Sequence, residues 1–287
     1  MEWLNTIVQG VLLGGLYAMF AVGLSLMFGI MRLVNIAHGD FIVLSSYLAL
    51  VVVEALGLSP LASLVLVVPV MFAVGYGLQR ELLNRTLGQD ILPPLLVTFG
   101  LSIILQNVLL ELFSADSQKL SQGELEVASL ALGELSIGVM PLIVFVSAVA
   151  IIGGLQLLFY KTSLGRAFRA TSDDQQTAQL MGVNNKHIFG LAMALAMAVV
   201  SIAGVFLAMR TSFDPTVGPA RLLYGFEAVI IGGLGSLWGT LVGGVILGLA
   251  QALGAKFDPG WQILAGHLVF LLILVIRPRG LFPRSVD

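Results

Sequence analysis

The sequence predicts an all-α polytopic bundle of transmembrane helices, and three observations predict it. Of 287 residues, 58% are hydrophobic and only 10% are charged, against about 25% charged in an ordinary soluble domain. Mean hydropathy is +1.01. Apolar stretches of about 20 residues, the length that crosses a hydrocarbon core as a helix, recur along the chain. A soluble enzyme and a disordered chain are excluded, because so few charges cannot cover a water-facing surface of this size and the composition is too apolar for disorder. Nucleic-acid binding is disfavoured by a net charge of −2 without a basic tract. There is no cysteine, hence no disulfide framework and no Cys-based zinc site. His38, His187 and His267 lack metal-ligand spacing.

The spans read in order as 4–29, 37–54, 59–79, 92–113, 138–160, 188–210, 222–237, 239–254 and 262–277, nine crossings, with eight or ten also compatible because broken helices blur the count. The start Met1-Glu2-Trp3 has no positive region and the apolar stretch behind it is too long for a signal sequence, so the first span is expected to be retained. Asn35, His38 and Asp40 gather where it ends and the second begins. Polar groups at such a break either line a path or bond the free backbone of a broken helix, and the spacing leaves both open. In the fourth span, Gln106 and Asn107 are candidate interhelical hydrogen-bond partners. The seventh and eighth spans are short and Gly-rich, two thin crossings or a pair of half-helices. Gly235, Gly239 and Gly243 repeat at spacing four, and Gly244 and Gly248 add a second pair; close helix packing is the expected role of all five. Gly232-Gly233 is a place to unwind a half-helix and present backbone to a substrate. Glu227, just before it, is expected as a surface carboxylate near the outer face, with contact to a substrate amine or a binding protein as the other reading. Trp3, Trp238 and Trp261 fall near span ends, as interfacial anchors do.

Orientation follows from the basic residues. With the 161–187 loop inside, ten of the 14 Lys and Arg are internal (Arg32, Arg80, Arg85, Lys161, Arg166, Arg169, Lys186, Arg277, Arg279, Arg284), and only Lys119, Arg210, Arg221 and Lys256 are external. The N-terminus is then outside and the C-terminus inside, as nine crossings require. Acidic residues are scarce within the spans: Glu54, Glu111 and Glu227 are read near span ends and Asp40 near a span start. That scarcity weighs against an ion-driven carrier.

The whole of 1–287 reads as one transmembrane domain with two polar stretches. The outer one, 114–137, holds Asp116, Glu124, Glu126 and Glu134. The inner one, 161–187, is richer in signals. Ser172 or Asp173 is expected to cap a short helix with Gln175 or Gln176 three residues on. Thr177, Leu180 and Met181 follow i, i+3, i+4 spacing and make an exposed apolar edge, Ala178 and Gly182 a small-residue notch beside it, and Gly182 and Asn184 the helix end. Such an edge docks into a partner's groove or packs back on the bilayer, and Arg166 and Arg169 suit either. No G-x-x-x-x-G-K-[ST] motif occurs, so the chain has no P-loop of its own.

The run Gly165-Arg166-Ala167-Phe168-Arg169-Ala170, the acidic Asp173 and then Ala178-x-x-x-Gly182-Val183-Asn184 resembles the inner-loop signature of LivH-type permeases, the membrane subunits of branched-chain amino acid ABC importers. Asn35-Ile-Ala-His38-Gly-Asp40, Gly232-Gly233-Leu-Gly235-Ser236 with the glycines after it, and Arg277-Pro-Arg279-Gly-Leu-Phe282 match the family in the same order. The resemblance implies a fold related to type II ABC importer permeases in a bacterial inner membrane, and makes the inner loop a coupling helix against an ATPase. It implies a second, LivM-like permease subunit, two ABC ATPase subunits that bind ATP and Mg, and a periplasmic solute-binding protein, with no cofactor on this chain and no catalytic role. Branched-chain amino acids are the first expected cargo; urea, small amides and small carboxylates remain open. The rival reading is a secondary transporter or channel working without ATPases.

Overall fold

The computed structural model describes residues 2–87, 92–121, 123–132 and 135–282. Arg284 and Glu134, used above, lie outside them. The described residues form α1 (Glu2–Met31), α2 (His38–Leu56), α3 (Pro60–Glu81), α4 (Leu92–Phe113), a hairpin of β1 (Ser129–Leu132) and β2 (Leu135–Gly138), then α5 (Val139–Lys161), α6 (Ser163–Asp173), α7 (Gln175–Leu180), α8 (Asn185–Arg210), α9 (Gly218–Gly232), α10 (Leu237–Phe257) and α11 (Trp261–Ile276). Seven helices, α1 to α5 with α8 and α10, are long and apolar enough to cross a membrane. α9 and α11 have 15 and 16 residues, about 23 Å each at 1.5 Å per residue, short of a hydrocarbon core of roughly 30 Å. The span expected at 222–237 therefore sits earlier and is briefer. It stops where Gly233 and Gly235 take φ of 105° and 81°, a left-handed turn that no β-carbon-bearing residue adopts cheaply.

α1 and α8 form the interior. Of their most apolar stretches, 83% and 78% are buried, against 17% for α4. One packing scheme occurs twice around them. α1 lies along α10 as α8 lies along α3; α2 and α9 cross each other; α4 leans on α2 as α11 leans on α9. The segments α1–α4 and α8–α11 thus correspond element by element, and with alternating crossings they run in opposite directions, an inverted-topology repeat.

Glycine lets these pairs touch. A β-carbon at Gly14 would lie 2.4 Å from Val245 Cα, one at Gly244 2.6 Å from Gly14 O, and one at Gly248 2.4 Å from Gly10 O. Gly239 and Gly243 face the other way, against Gly232 and Ala228 of α9. Four of the five glycines, Gly239, Gly243, Gly244 and Gly248, thus lie on two faces of α10. Gly235 falls outside it, in the turn before α10.

The outer stretch holds the antiparallel hairpin, Ser129 paired with Gly138 and Leu130 with Ile137, which the sequence reading did not anticipate. Beside it, Gln118 exchanges backbone hydrogen bonds with Phe213 at 2.8 and 2.9 Å. Tyr47 stacks on Phe113 and meets Phe213 edge-on, closing that end of the bundle.

Candidate translocation and coupling site

Two breaks in the helical bundle converge. After α1 the chain leaves the helix at Arg32, whose φ is 54°, runs without regular structure to a turn closed by His38 N donating to Asn35 O, and α2 begins at His38. His38 Nε2 lies 2.8 Å from Phe20 O, well up α1. A β-carbon at Gly23 would lie 2.7 Å from the His38 ring and 3.2 Å from Ala196 O, about midway along α8. α2 therefore starts at mid-depth, and the 32–37 segment climbs back into the bundle to reach it. The 211–217 segment does the same from the other side: α9 begins at Gly218, where a β-carbon on Gly39 would lie 2.0 Å from Gly218 O. Two helix N-termini meet in the interior with their unsatisfied N–H groups.

Asp40 occupies that meeting point. Its Oδ1 would lie 2.2 Å from a β-carbon at Gly218, so its charge faces both helix starts, the favourable end of each dipole. Ser102 Oγ donates to Asp40 Oδ2 at 2.5 Å and Gln106 Nε2 to Oδ1 at 2.9 Å. Thr98 Oγ1 accepts from Ile36 N at 3.2 Å. Thr98, Ser102 and Gln106 are a polar stripe at spacing four on α4, and it holds the broken segment. The sequence reading singled out Gln106; Thr98 and Ser102 were visible in the same spacing. Asn35 Oδ1 accepts from Ala37 N at 3.0 Å, a local Asx turn. Asn35, His38 and Asp40 thus engage different partners: their own turn, α1 and α4.

Glu227 is not a surface carboxylate. It is 1% exposed, ten residues into α9, and shares a hydrogen bond with His267 Nδ1 of α11. The partner lies 40 residues away, beyond any local pattern. Gly232 and Gly233 also depart from expectation. Leu281 N donates to Ile231 O at 2.9 Å and Phe282 N to Gly232 O at 3.0 Å. The C-terminal Arg277–Phe282 segment thus takes up carbonyls that a bare half-helix end would have presented to a substrate.

The inner loop is an arm of two helices, α6 and α7. Thr162 Oγ1 caps α6 by accepting from Gly165 N at 3.0 Å. Three contacts brace the arm: Ser172 Oγ donates to Gly29 O of α1 at 2.6 Å, Arg169 donates to Phe159 O of α5, and Asn185 Nδ2 of α8 donates to Gln175 O at 2.7 Å. Arg169 also lies over the Tyr160 ring, while Arg166 is exposed. The cap of α7 is Asp174, not Ser172 or Asp173: Asp173 is the last residue of α6, and Asp174 Oδ1 accepts from Gln176 N and Thr177 N at 2.9 and 3.1 Å. The Thr177 hydroxyl donates to Asp174 Oδ2 and holds that carboxyl below the usual carboxylate range.

α7 ends in a Schellman motif, Gly182 N to Gln179 O at 2.9 Å and Val183 N to Ala178 O at 3.0 Å, with Gly182 at φ 86°. Asn184 does not end this helix but caps α8, accepting from His187 N. Ala178 is 4% exposed and faces inward, so no exposed notch runs from it to Gly182. Leu180 and Met181 are 87% and 80% exposed. Two large apolar side chains are thus held out on a braced arm as an exposed apolar knob.

The family described as "Branched-chain amino acid transport system / permease component" matches residues 6–276. The chain is similar to the high-affinity branched-chain amino acid transport system permease protein BraD of Pseudomonas aeruginosa, with 31% identity over 99% of this chain and 96% of that one. It is similar to the corresponding permease protein LivH of Salmonella typhimurium, with 28% identity over 98% and 96%. A shorter stretch, 42% of this chain and 29% of the relative, is 27% identical to the permease protein LivM of Escherichia coli. Among solved structures, a chain of PsaBC from Streptococcus pneumoniae in complex with Fab shares the fold, with a TM-score of 0.50 and 16% identity over 97% of this chain and 93% of that one.

Proposed function

We infer the function from one premise: the chain belongs to the family of branched-chain amino acid transport system permease components. It is a transport subunit of an ATP-driven importer rather than an enzyme, and it builds part of the path by which branched-chain amino acids cross the inner membrane. It works beside a second, LivM-like permease, to which part of this chain is itself similar. Two ABC ATPases, carrying ATP and Mg, sit on the inner face, and a periplasmic binding protein delivers cargo to the outer face. The N-terminus is outside and the C-terminus inside.

One observation carries the coupling assignment: the exposed Leu180–Met181 knob on an arm tied to α1, α5 and α8. A push on α7 is handed directly to the buried helices α1 and α8. Arg166 flanks the arm as a cation for the ATPase surface. The convergent break at Asn35, His38 and Asp40 is the gate that such a movement opens, because α2 is tied there to α1 and α4 by few, specific bonds and touches α9 at Gly218.

The chain is co-expressed with its ATPase partners and purified by a tag on itself. The ATPases co-purify with the wild type, and the assembly takes up leucine into vesicles only with ATP and the loaded binding protein. Leu180→Asp with Met181→Asp is expected to lower ATPase recovery at least tenfold while the chain still folds and inserts. Unchanged recovery sinks the docking role; ATP-independent uptake by this chain alone sinks the importer reading in favour of a carrier or channel.

A further inference from the structure

Beside the gate lies a second polar cluster. Glu227 and Gln251 are each 1% exposed, and Tyr17 is 6% exposed. Tyr17 Oη donates to Gln251 Oε1 at 2.5 Å. The Tyr17 and Tyr224 rings are 5.0 Å apart, and Tyr224 stacks at 6.4 Å on His267, the partner of Glu227. Arg221 lies one turn before Tyr224 on α9 and Arg210 ends α8, and each has a buried guanidinium nitrogen. The linked side chains Tyr17, Gln251, Tyr224, His267 and Glu227 come from α1, α9, α10 and α11.

Four atoms of this cluster are buried without a hydrogen-bond partner: Arg210 Nη1, Arg221 Nε, Glu227 Oε2 and Gln251 Nε2. A purely structural network inside a protein satisfies nearly all such groups, because each unmet one costs the desolvation it has suffered. Ionisable residues within a span mark pathways as a rule. The unmet groups here are of both signs. Arg221, Tyr224 and Glu227 follow one another at spacing three along α9, so the cationic and anionic ends are separated by about two turns, roughly 9 Å of rise, less the reach of their side chains. The His267 side chain, at the middle of α11, remains 32% exposed.

We propose that this cluster is where the permease itself contacts its cargo, an α-amino acid zwitterion. The ammonium group meets Glu227 Oε2, the carboxylate meets Arg210 and Arg221, and the branched side chain lies against the rings of Tyr17, Phe20 and Tyr224. Phe20 is fully buried, 6.3 Å from Tyr17 ring to ring. A zwitterion brings one charge of each sign and no net charge, which suits a site holding both signs. The cluster is closed in this structure, so cargo enters when α9 or α11 moves. This inference rests on the reading of the chain as an amino-acid permease.

The test uses the absence of cysteine from this chain. Tyr224→Cys and Gln251→Cys are placed singly in the full importer, reconstituted in vesicles, and exposed to a small cationic methanethiosulfonate reagent. Both thiols are expected to react during ATP turnover. Leucine-loaded binding protein is expected to slow the reaction at least fivefold relative to empty binding protein. A reaction indifferent to leucine, or no reaction in any state, overturns the proposal. Glu227→Gln gives a second reading, since the amide keeps a hydrogen bond to His267 and removes the charge. It is expected to assemble and melt within a few degrees of wild type while leucine uptake falls at least tenfold. Uptake within twofold of wild type, or a loss of uptake that follows a loss of assembly, also overturns it. Failure of the wild-type importer to take up leucine overturns the function itself, a result distinct from these.

Discussion

At the scale of the residue, Asp174 shows how one position decides a local structure. Three consecutive residues, Ser172, Asp173 and Asp174, are all good N-cap types, and the sequence alone ranks the first two as well as the third. The structure gives Asp174 the cap because the Thr177 hydroxyl completes its second oxygen, while the Ser172 hydroxyl is occupied by Gly29 of α1. The depressed carboxyl makes this cap a pH-dependent element with a definite sign. Its contribution is full above the ordinary aspartate value of about 3.9 and is lost as pH falls through the lowered one. The cap is therefore intact throughout the neutral range. Asp174→Ala is expected to fray α7 and to lower cargo-stimulated ATP hydrolysis by the assembled importer several-fold, whereas Asp174→Ser, which keeps an acceptor, retains most of it. Equal activity in the two variants would show that α7 is held by its neighbours alone. Glu227 is the opposite case, since nothing within a helical turn signals that His267 of another helix reaches it.

At the scale of the element, the sequence located the helices well. The expected span 92–113 coincides with α4, and most other boundaries agree within two or three residues, because runs of apolar residues are the strongest signal a membrane chain carries. The breaks were harder. Asn35–Asp40 was legible as an interruption, but the descent of 211–217 was not, since its partner contact is Gly39 and lies far away in the chain. Glycine roles divide on the same ground: spacing marks a ladder, and only packing says which helix each face meets. Gly248→Leu is expected to drive α10 from α1, at a cost of about 1–3 kcal/mol or more for overpacking, seen as a lower melting temperature and poorer assembly. Gly77→Ala in α3, where a β-carbon meets nothing within 4 Å, is expected to be neutral or stabilising by up to about 1 kcal/mol. Equal melting temperatures for the two variants would refute the close α1–α10 approach.

At the scale of the whole molecule, charge and topology make one argument. The inverted correspondence of α1–α4 with α8–α11 sets the Asp40 and Glu227 clusters on corresponding helices, Asp40 in the first turn of α2 and Glu227 ten residues into α9, each carboxylate held by a side chain of the helix outside it. Such a repeat needs opposite orientations of its halves, and the five long apolar helices that precede α8 supply them. The distribution of Lys and Arg is the ground for the proposed orientation, ten of the 14 falling on the proposed inner side. Single cysteines test this directly. Val127→Cys, before the hairpin and 83% exposed, is expected to react with an impermeant maleimide on intact spheroplasts. Gln176→Cys, exposed on α7, is expected to react only after permeabilisation. The reverse pattern overturns the orientation, and with it the inner position of the docking knob. Glu2→Cys and Arg279→Cys test the parity: labelling of the first alone is expected, whereas labelling of both on intact spheroplasts would remove a crossing. The short α9 is the element most exposed to that outcome, because it completes its passage only with the non-helical 211–217 segment that carries the chain down to meet Asp40.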